Sequence, residues 1–171
     1  LTAILGSIRT NGEFIAEPFG FPRNAIQWEH YTDILQDSTF WLFLRNSLFI
    51  TIGTTVLNVT TGSMLAFVLS RIRFRGRGLL FNIISFGLLF PLVVAILPIF
   101  IQIKRMGLTG TLWAVILPLT AFGLPGTIII LRGFFMAIPI ELEEASYLDG
   151  CTHFGFFYRI LVPLARPSLT A

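Results

Sequence analysis

Long apolar stretches alternate with short polar ones along most of this chain. The three longest apolar stretches are residues 48–69, 79–103 and 112–131, and none contains a charged side chain. As an α-helix, each is long enough to cross the roughly 30 Å hydrocarbon core of a bilayer. The pattern therefore predicts three membrane-spanning helices.

The second apolar stretch carries two prolines, Pro91 and Pro98. Proline removes an intrahelical hydrogen bond and kinks a helix, which membranes tolerate when neighbouring groups satisfy the backbone. We therefore predict a kinked span over residues 79–103. Pro91 and Pro98 are candidate residues for facing the bundle or lining a pathway.

The first apolar stretch is rich in glycine, serine and threonine, and Asn58 lies near its middle. Small residues favour close contact between membrane helices, and an amide in hydrocarbon needs a polar partner. Asn58 and Gly62 are four residues apart and hence on one helical face. We predict that both face the helix bundle or the pathway.

The arginines between the first and second stretches indicate which side of the membrane each loop occupies. Four of them occur in residues 71–77 without an acidic residue, which is typical of a cytoplasmic loop. Three spans then place residues 132–166 on the same side. Residues 9–40 are expected outside, with their aromatic residues in the interfacial region.

Composition narrows the possible functions. Hydrophobic residues make up 54% of the 171 residues, and the mean hydropathy is +0.81, so we predict an integral membrane protein. The net charge of +3 comes from short arginine loops, which does not suggest nucleic-acid binding. The single Cys151 and the absence of Cys/His clusters or a phosphate loop predict no metal, no cofactor, no ATP site and no catalytic residue.

Residues 139–166 are the long polar interruption in the second half of the chain. A short amphipathic helix is predicted after Pro139, with Glu143 and Glu144 exposed. Three apolar residues share the opposite face, namely Leu142, Ala145 and Leu148. Gly150 can stop this helix in a left-handed conformation, and Asp149 is expected to cap the next helix or pair with an arginine.

A second helix is predicted directly after the glycine. Thr152 is its expected N-cap, and Pro163 is expected to end it. Its apolar face is predicted from the i, i+3, i+4, i+7 spacing of Phe154, Phe157, Tyr158 and Leu161. From periodicity alone, the two helices could equally form an ordinary interfacial hairpin.

The residues in this interruption resemble a known signature. Glu144, Ala145 and Ser146, then Gly150 three residues later, and residues 160–163 after nine more match E-A-A-x3-G-x9-I-x-L-P. This is the EAA signature of permease subunits of binding-protein-dependent ABC importers. Ser146 replaces the second alanine and Val162 the leucine before the proline.

Other positions resemble the second permease subunit of maltose-type carbohydrate importers. These are Asn46-Ser47, Pro98, the Gly107-Leu108 turn, and residues 134–139 leading into the signature. The resemblance implies an all-α membrane protein with the helical bundle of a type I ABC importer permease. It implies one transmembrane permease domain over residues 1–171, with a cytoplasmic coupling loop at residues 139–166. The full subunit would have six transmembrane helices, the first and last largely missing here.

The resemblance also implies partners and site residues. The expected partners are a sister permease, two cytoplasmic ATPase subunits, an extracytoplasmic solute-binding protein, a carbohydrate substrate and membrane lipids, with the subunit multi-pass in the cell membrane. A helix before the signature glycine would dock on the ATPase. Here the implied coupling residues are Leu142, Glu143, Glu144, Ala145, Leu148, Asp149 and Gly150.

Other functions stay open at this point. The same importer class could carry an amino acid, a peptide or an inorganic anion, because the signature does not identify the cargo. A channel would show a filter repeat or rings of charge, and an intramembrane enzyme would show ionisable residues inside its spans. Neither feature occurs in this sequence.

Overall fold

The computed structural model describes residues 6–17, 19–21 and 28–165, and all regular structure within these residues is helical. The helices are α1 Asn11–Ala16, α2 Glu29–Gln36, α3 Ser38–Arg71, α4 Arg77–Phe86 with a 3-10 turn at Gly87–Leu89, α5 Leu92–Arg105, α6 Trp113–Ala137, α7 Ile140–Leu148, α8 His153–Phe156 with a π-helical turn at Phe157–Leu161, and α9 Val162–Leu164. Residue 166, where the predicted coupling loop ends, lies outside the described residues. The chain divides into two compact units, Leu1–Leu48 and Phe49–Ala171.

In the first unit, a buried arginine binds the backbone around α1. The guanidinium of Arg9 donates hydrogen bonds to the backbone carbonyls of Glu13, Glu17 and Gly20 at 2.8 to 3.0 Å. Thr10 caps α1 by accepting a hydrogen bond from the Glu13 backbone N–H. These hydrogen bonds fix the described residues at both ends of α1.

In the second unit, the portions of α3 and α6 that pack together run parallel. Three contacts advance together along both helices: Gly53 with Ile116, Asn58 with Thr120, and Leu69 with Arg132. Both helices are long and apolar enough to cross a membrane, at 34 and 25 residues. Both helices continue past the C-terminal end of the apolar stretch that predicted them. The contact between Leu69 and Arg132 places these C-terminal ends side by side.

The segment between these two helices is broken rather than kinked. The axes of Arg77–Leu89 and Leu92–Arg105 differ by 104°. Pro91 lies at the break with an extended ψ of 124°, whereas Pro98 is accommodated inside α5. The predicted kinked span over residues 79–103 is bent far more sharply at Pro91 than a proline kink, because a 3-10 turn and an extended residue precede Pro91 and end the first helix.

The parallel arrangement of α3 and α6 determines where the segment between them, α4 and α5, must begin and end. A chain that leaves the end of α3 and enters the start of a parallel α6 must return to the opposite end of the bundle. The α4 and α5 pair therefore makes a broken third crossing, not a loop that enters and leaves on one side. The turn before α6 begins at Gly107, whose positive φ of 70° lets the chain reverse after α5.

Polar and small residues bring α3 and α6 close together. The Asn58 side-chain amide donates to the Thr120 carbonyl at 3.1 Å, and the Thr127 hydroxyl donates to the Asn58 amide oxygen. A Cβ on Gly62 would lie 2.7 Å from Cγ2 of Thr127. Asn58 and Gly62 both contact α6 in this structure.

Gly62→Ala is expected to destabilise the protein by about 1–3 kcal/mol, because overpacking a close helix contact forces α3 and α6 apart. The matched control is Gly133→Ala on α6, where an added Cβ meets no atom within 4 Å. The midpoint of thermal unfolding in detergent should fall for the first variant and stay unchanged or rise for the second. Equal midpoints would contradict the close approach at Gly62.

A hydrophobic core closes the bundle near the ends of α3 and α6. It is formed by Ala66, Phe67, Leu131, Phe135, Phe156, Phe157, Leu161 and Ala165. The rings of Phe67 and Phe157 are 5.0 Å apart. The segment after Gly150 therefore folds back and packs on both long helices.

The face of this segment agrees only in part with the prediction. Phe157 and Leu161 are buried as predicted, but Phe154 and Tyr158 are 66% and 68% exposed and Phe156 is fully buried. Tyr158 lies in the π-helical turn Phe157–Leu161, whose i→i+5 hydrogen bonds do not follow the 3.6-residue spacing. Such a turn also accommodates Pro163, which lacks an N–H and lies within α9 one residue before it ends.

Candidate functional site

Helix α7 carries the residues of the signature, and its two faces differ sharply. Glu143 and Ser146 are buried at 7% and 3% exposure. The opposite side, which we call the outer face of α7, is exposed and consists of Leu142, Glu144, Ala145 and Leu148. The predicted apolar residues do share one face, but that face points away from the protein.

The prediction that Glu143 is exposed is wrong. Its carboxylate forms an ion pair with Arg71, with Nη1 of Arg71 and Oε2 of Glu143 3.2 Å apart. Both side chains are at least nine-tenths buried. A buried carboxylate needs a charged or hydrogen-bonding partner, and Arg71 supplies it from 72 residues earlier in the chain.

Arg71 also holds the end of α6. Its Nη2 donates to the carbonyls of Phe135 and Ile138, both at 2.6 Å. The last carbonyls of a helix lack intrahelical partners and carry partial negative charge, so a guanidinium there satisfies them and suits the helix dipole. One arginine thus fastens α3, the end of α6 and α7 together.

A second arginine makes the reciprocal connection. Arg132 on α6 donates from Nε to the Leu69 carbonyl at 3.2 Å, and its guanidinium lies 4.1 Å from the centre of the Phe81 ring on α4. We call the end of the bundle that contains Arg71 and Arg132 the arginine end. Sequence reasoning treated these residues only as markers of membrane side, because their partners lie on distant helices.

Tyr147 and His153 extend the buried contact to α8. The Tyr147 hydroxyl donates to Oε1 of Glu143 at 2.7 Å and also contacts Nδ1 of His153. Burial, followed by the hydrogen bond to Glu143, raises the pKa of the Tyr147 hydroxyl, which therefore stays protonated.

Gly150 ends α7 in the conformation that the sequence predicts. Its φ is +85°, in the left-handed region that favours glycine. The N–H of Gly150 donates to the Tyr147 carbonyl, and that of Cys151 donates to the Ser146 carbonyl, which is the Schellman pattern. This turn fixes the direction in which the chain leaves α7.

The next helix begins at the predicted cap. The Thr152 hydroxyl accepts a hydrogen bond from the Gly155 N–H at 3.1 Å. Asp149 is exposed and belongs to the end of α7, so the expectation that it caps the following helix is wrong. Among residues 6–17, 19–21 and 28–165, no arginine forms an ion pair with Asp149 either, and its side chain is exposed at the end of α7.

The remaining candidate residues fall into two groups. Asn58 and Gly62 are used in the contact between α3 and α6 described above. Pro91 and Pro98 are both exposed on this chain, at the break and in α5 respectively. The described residues contain no cluster of histidine, cysteine or acidic side chains that could hold a metal ion.

These features define a multi-pass membrane protein that presents a short amphipathic helix at one end of its bundle. Residues 58–171 match the family described as "Binding-protein-dependent transport system inner membrane component". The chain belongs to this family. The predicted family and all-helical permease fold are confirmed.

Several curated proteins are similar to the chain. The diacetylchitobiose uptake system permease protein NgcG of Streptomyces coelicolor is 33% identical over 171 residues, which cover 100% of this chain and 56% of that protein. The probable ABC transporter permease protein YurM of Bacillus subtilis is 42% identical over 127 residues, covering 74% and 42%. The arabinooligosaccharides transport system permease protein AraQ of Halalkalibacterium halodurans is 31% identical over 174 residues, covering 100% and 62%. The chain thus spans about half the length of these relatives.

Proposed function

We propose that this chain is part of the transmembrane permease subunit of an ATP-binding-cassette importer for a carbohydrate. The observation that carries the proposal is the outer face of α7, which presents Glu144 and Ala145 of the EAA signature at the arginine end. Relatives named for uptake of diacetylchitobiose and arabinooligosaccharides support a sugar or oligosaccharide as the cargo. The expected partners are a sister permease, two ATPase subunits and an extracytoplasmic binding protein.

The outer face of α7 has the chemistry of a docking surface. Leu148 is 90% exposed, and Leu142 is 44% exposed beside the carboxylate of Glu144. Large apolar side chains exposed together commonly mark a contact with another protein. An ATPase cleft with apolar walls and a basic residue would bury both leucines and pair with Glu144. The exposed Asp149 adds a second negative charge at the edge of the same surface.

Coupling also requires that the docking helix move as a unit with the bundle. Gly150 fixes the end of α7, and the segment after it packs into the core with Phe156, Phe157 and Leu161. A displacement of α7 would therefore reach the long helices rather than being absorbed by a loose loop. In this proposal the arginine end and residues 139–166 face the cytoplasm, as arginine density predicts.

The test uses the full-length subunit with its permease, ATPase and binding-protein partners in liposomes. The parental complex should accumulate labelled diacetylchitobiose or an arabinooligosaccharide in an ATP-dependent manner, and should not accumulate amino acids. Glu144→Lys and Leu148→Ala should weaken retention of the ATPase about tenfold or more, because each removes a contact worth more than about 1.4 kcal/mol.

The matched control is Glu29→Lys, the same charge reversal at an exposed position on α2. It should leave retention of the ATPase and uptake at parental levels. Full retention by both α7 variants would contradict docking through the outer face. Uptake of an amino acid, a peptide or an anion without uptake of any sugar would keep the importer but reject the carbohydrate.

A further inference from the structure

A continuous set of polar contacts runs through the inner side of α7. It begins at the Phe135 and Ile138 carbonyls, passes through Arg71 to Glu143, and continues through Tyr147 to His153. These groups belong to α6, α3, α7 and α8. The contacts lie on the opposite side of α7 from the outer face, so they are separate from the surface proposed to dock on the ATPase.

We propose that Arg71 and Glu143 are positioning residues that pass a displacement of α7 directly to α3. This inference rests on the proposed function, because it assumes that a partner moves α7. The backbone joins α7 only to α6 and to α8, whereas 72 residues separate Arg71 from Glu143. The ion pair thus gives α3 a connection to α7 that the chain itself does not provide.

The geometry of the pair makes the connection specific. Arg71 donates to the Glu143 carboxylate from one terminal nitrogen and to two carbonyls at the end of α6 from the other. The planar guanidinium fork fixes these three partners relative to one another, which a lysine ammonium cannot reproduce. Because both charged side chains are at least nine-tenths buried, separating them would leave each charge buried without its oppositely charged partner.

Tyr147 and His153 hold Glu143 from its other side. The tyrosine proton occupies Oε1 of Glu143 while Arg71 occupies Oε2, so both carboxylate oxygens are engaged. His153 begins α8, and its ring packs edge-on against Tyr147 with centroids 4.9 Å apart. Glu143 is thereby held between α3 and the segment that leads back into the hydrophobic core.

The test is Glu143→Gln and Arg71→Lys in the full-length subunit, assembled with its partners in liposomes. Glutamine keeps the size of Glu143 and an acceptor oxygen but removes the charge. We expect parental retention of the ATPase, together with about a tenfold rise in ATP hydrolysed per solute transported, within the usual range for coupling between sites. Arg75→Gln removes an exposed charge in the same loop and should change neither quantity.

Three other results would overturn the inference that Arg71 and Glu143 connect α7 to α3. A parental ratio of ATP to solute in both variants would show that α3 does not depend on the pair. Loss of ATPase retention to the level of Glu144→Lys would assign Glu143 to docking instead. Failure of Glu143→Gln to accumulate in the membrane would make the pair a requirement of folding rather than of coupling.

The proposed function fails in a different way. Its failure appears as no ATP-driven uptake by the parental complex, or as full ATPase retention by Glu144→Lys. If Glu144→Lys loses the ATPase while Glu143→Gln transports with the parental ratio, the proposed function stands and only the role of Arg71 and Glu143 falls.

Discussion

Arg71→Ala is expected to destabilise the arginine end by about 3–5 kcal/mol, the usual effect of removing one member of a buried ion pair. The Glu143 carboxylate would remain buried with the Tyr147 hydroxyl as its only described hydrogen-bond donor. The carbonyls of Phe135 and Ile138 would also lose their guanidinium cap. Because three elements meet at this side chain, we expect α7 to detach from the end of α6.

Limited proteolysis of the detergent-solubilised protein tests whether α7 has detached from the end of α6. Arg71→Ala should become cleavable within residues 138–152 under conditions that leave the parental protein intact, and its thermal midpoint should fall. Arg75→Ala is the matched control, because Arg75 lies in the same loop with an exposed side chain. Equal cleavage of the two variants would show that Arg71 does not hold α7 in place.

Gly150→Val is expected to have the second large effect. A valine at a φ of +85° has its branched Cβ against the backbone, at a cost of about 1–2 kcal/mol or more, although no neighbouring residue obstructs the site. The Schellman hydrogen bonds would be lost, and the chain would leave α7 in another direction. We expect the variant to insert in the membrane but to lose ATP-driven uptake in the assembled complex.

Gly150→Asn provides the test of cause. Like valine, asparagine adds a side chain at position 150, but it tolerates the left-handed region better than other non-glycine residues. The Gly150→Asn complex should therefore retain much of the uptake. Gly78→Val is the control within a helix, where the added Cβ meets no atom within 4 Å and φ is not positive. If asparagine and valine at position 150 were equally damaging, backbone conformation would not be the reason.

The features that could be predicted from the sequence depend on local chemistry. Thr152 caps a helix through a residue three positions later, and Gly150 ends one through its own φ. The apolar lengths that predict α3 and α6 are likewise read from consecutive residues. The contact of Asn58 with another helix could be anticipated because an amide within an apolar stretch needs a polar partner on a neighbouring helix, whichever helix that is.

The features that could not be predicted depend on distant residues or on unusual helix geometry. The burial of Glu143 requires Arg71, and nothing in residues 139–150 identifies an arginine 72 positions earlier as its partner. A 3.6-residue period places Phe154 and Tyr158 inward, whereas both are exposed and Phe156 is buried. Pro91 indicated an irregularity, but a proline alone predicts a kink and not the 104° change of direction.

The break at Pro91 constrains which neighbours this chain can have in a bilayer. The end of α4 and the start of α5 leave backbone carbonyls and N–H groups without intrahelical partners. Acyl chains cannot supply hydrogen bonds, so a break within the hydrocarbon region must be shielded from lipid by protein or lie next to water. If the break lies at that depth, we expect the exposed surface around Pro91 to face protein or water instead of the annular lipid shell. A spin label or fluorophore there should then be insensitive to quenchers dissolved in the acyl chains.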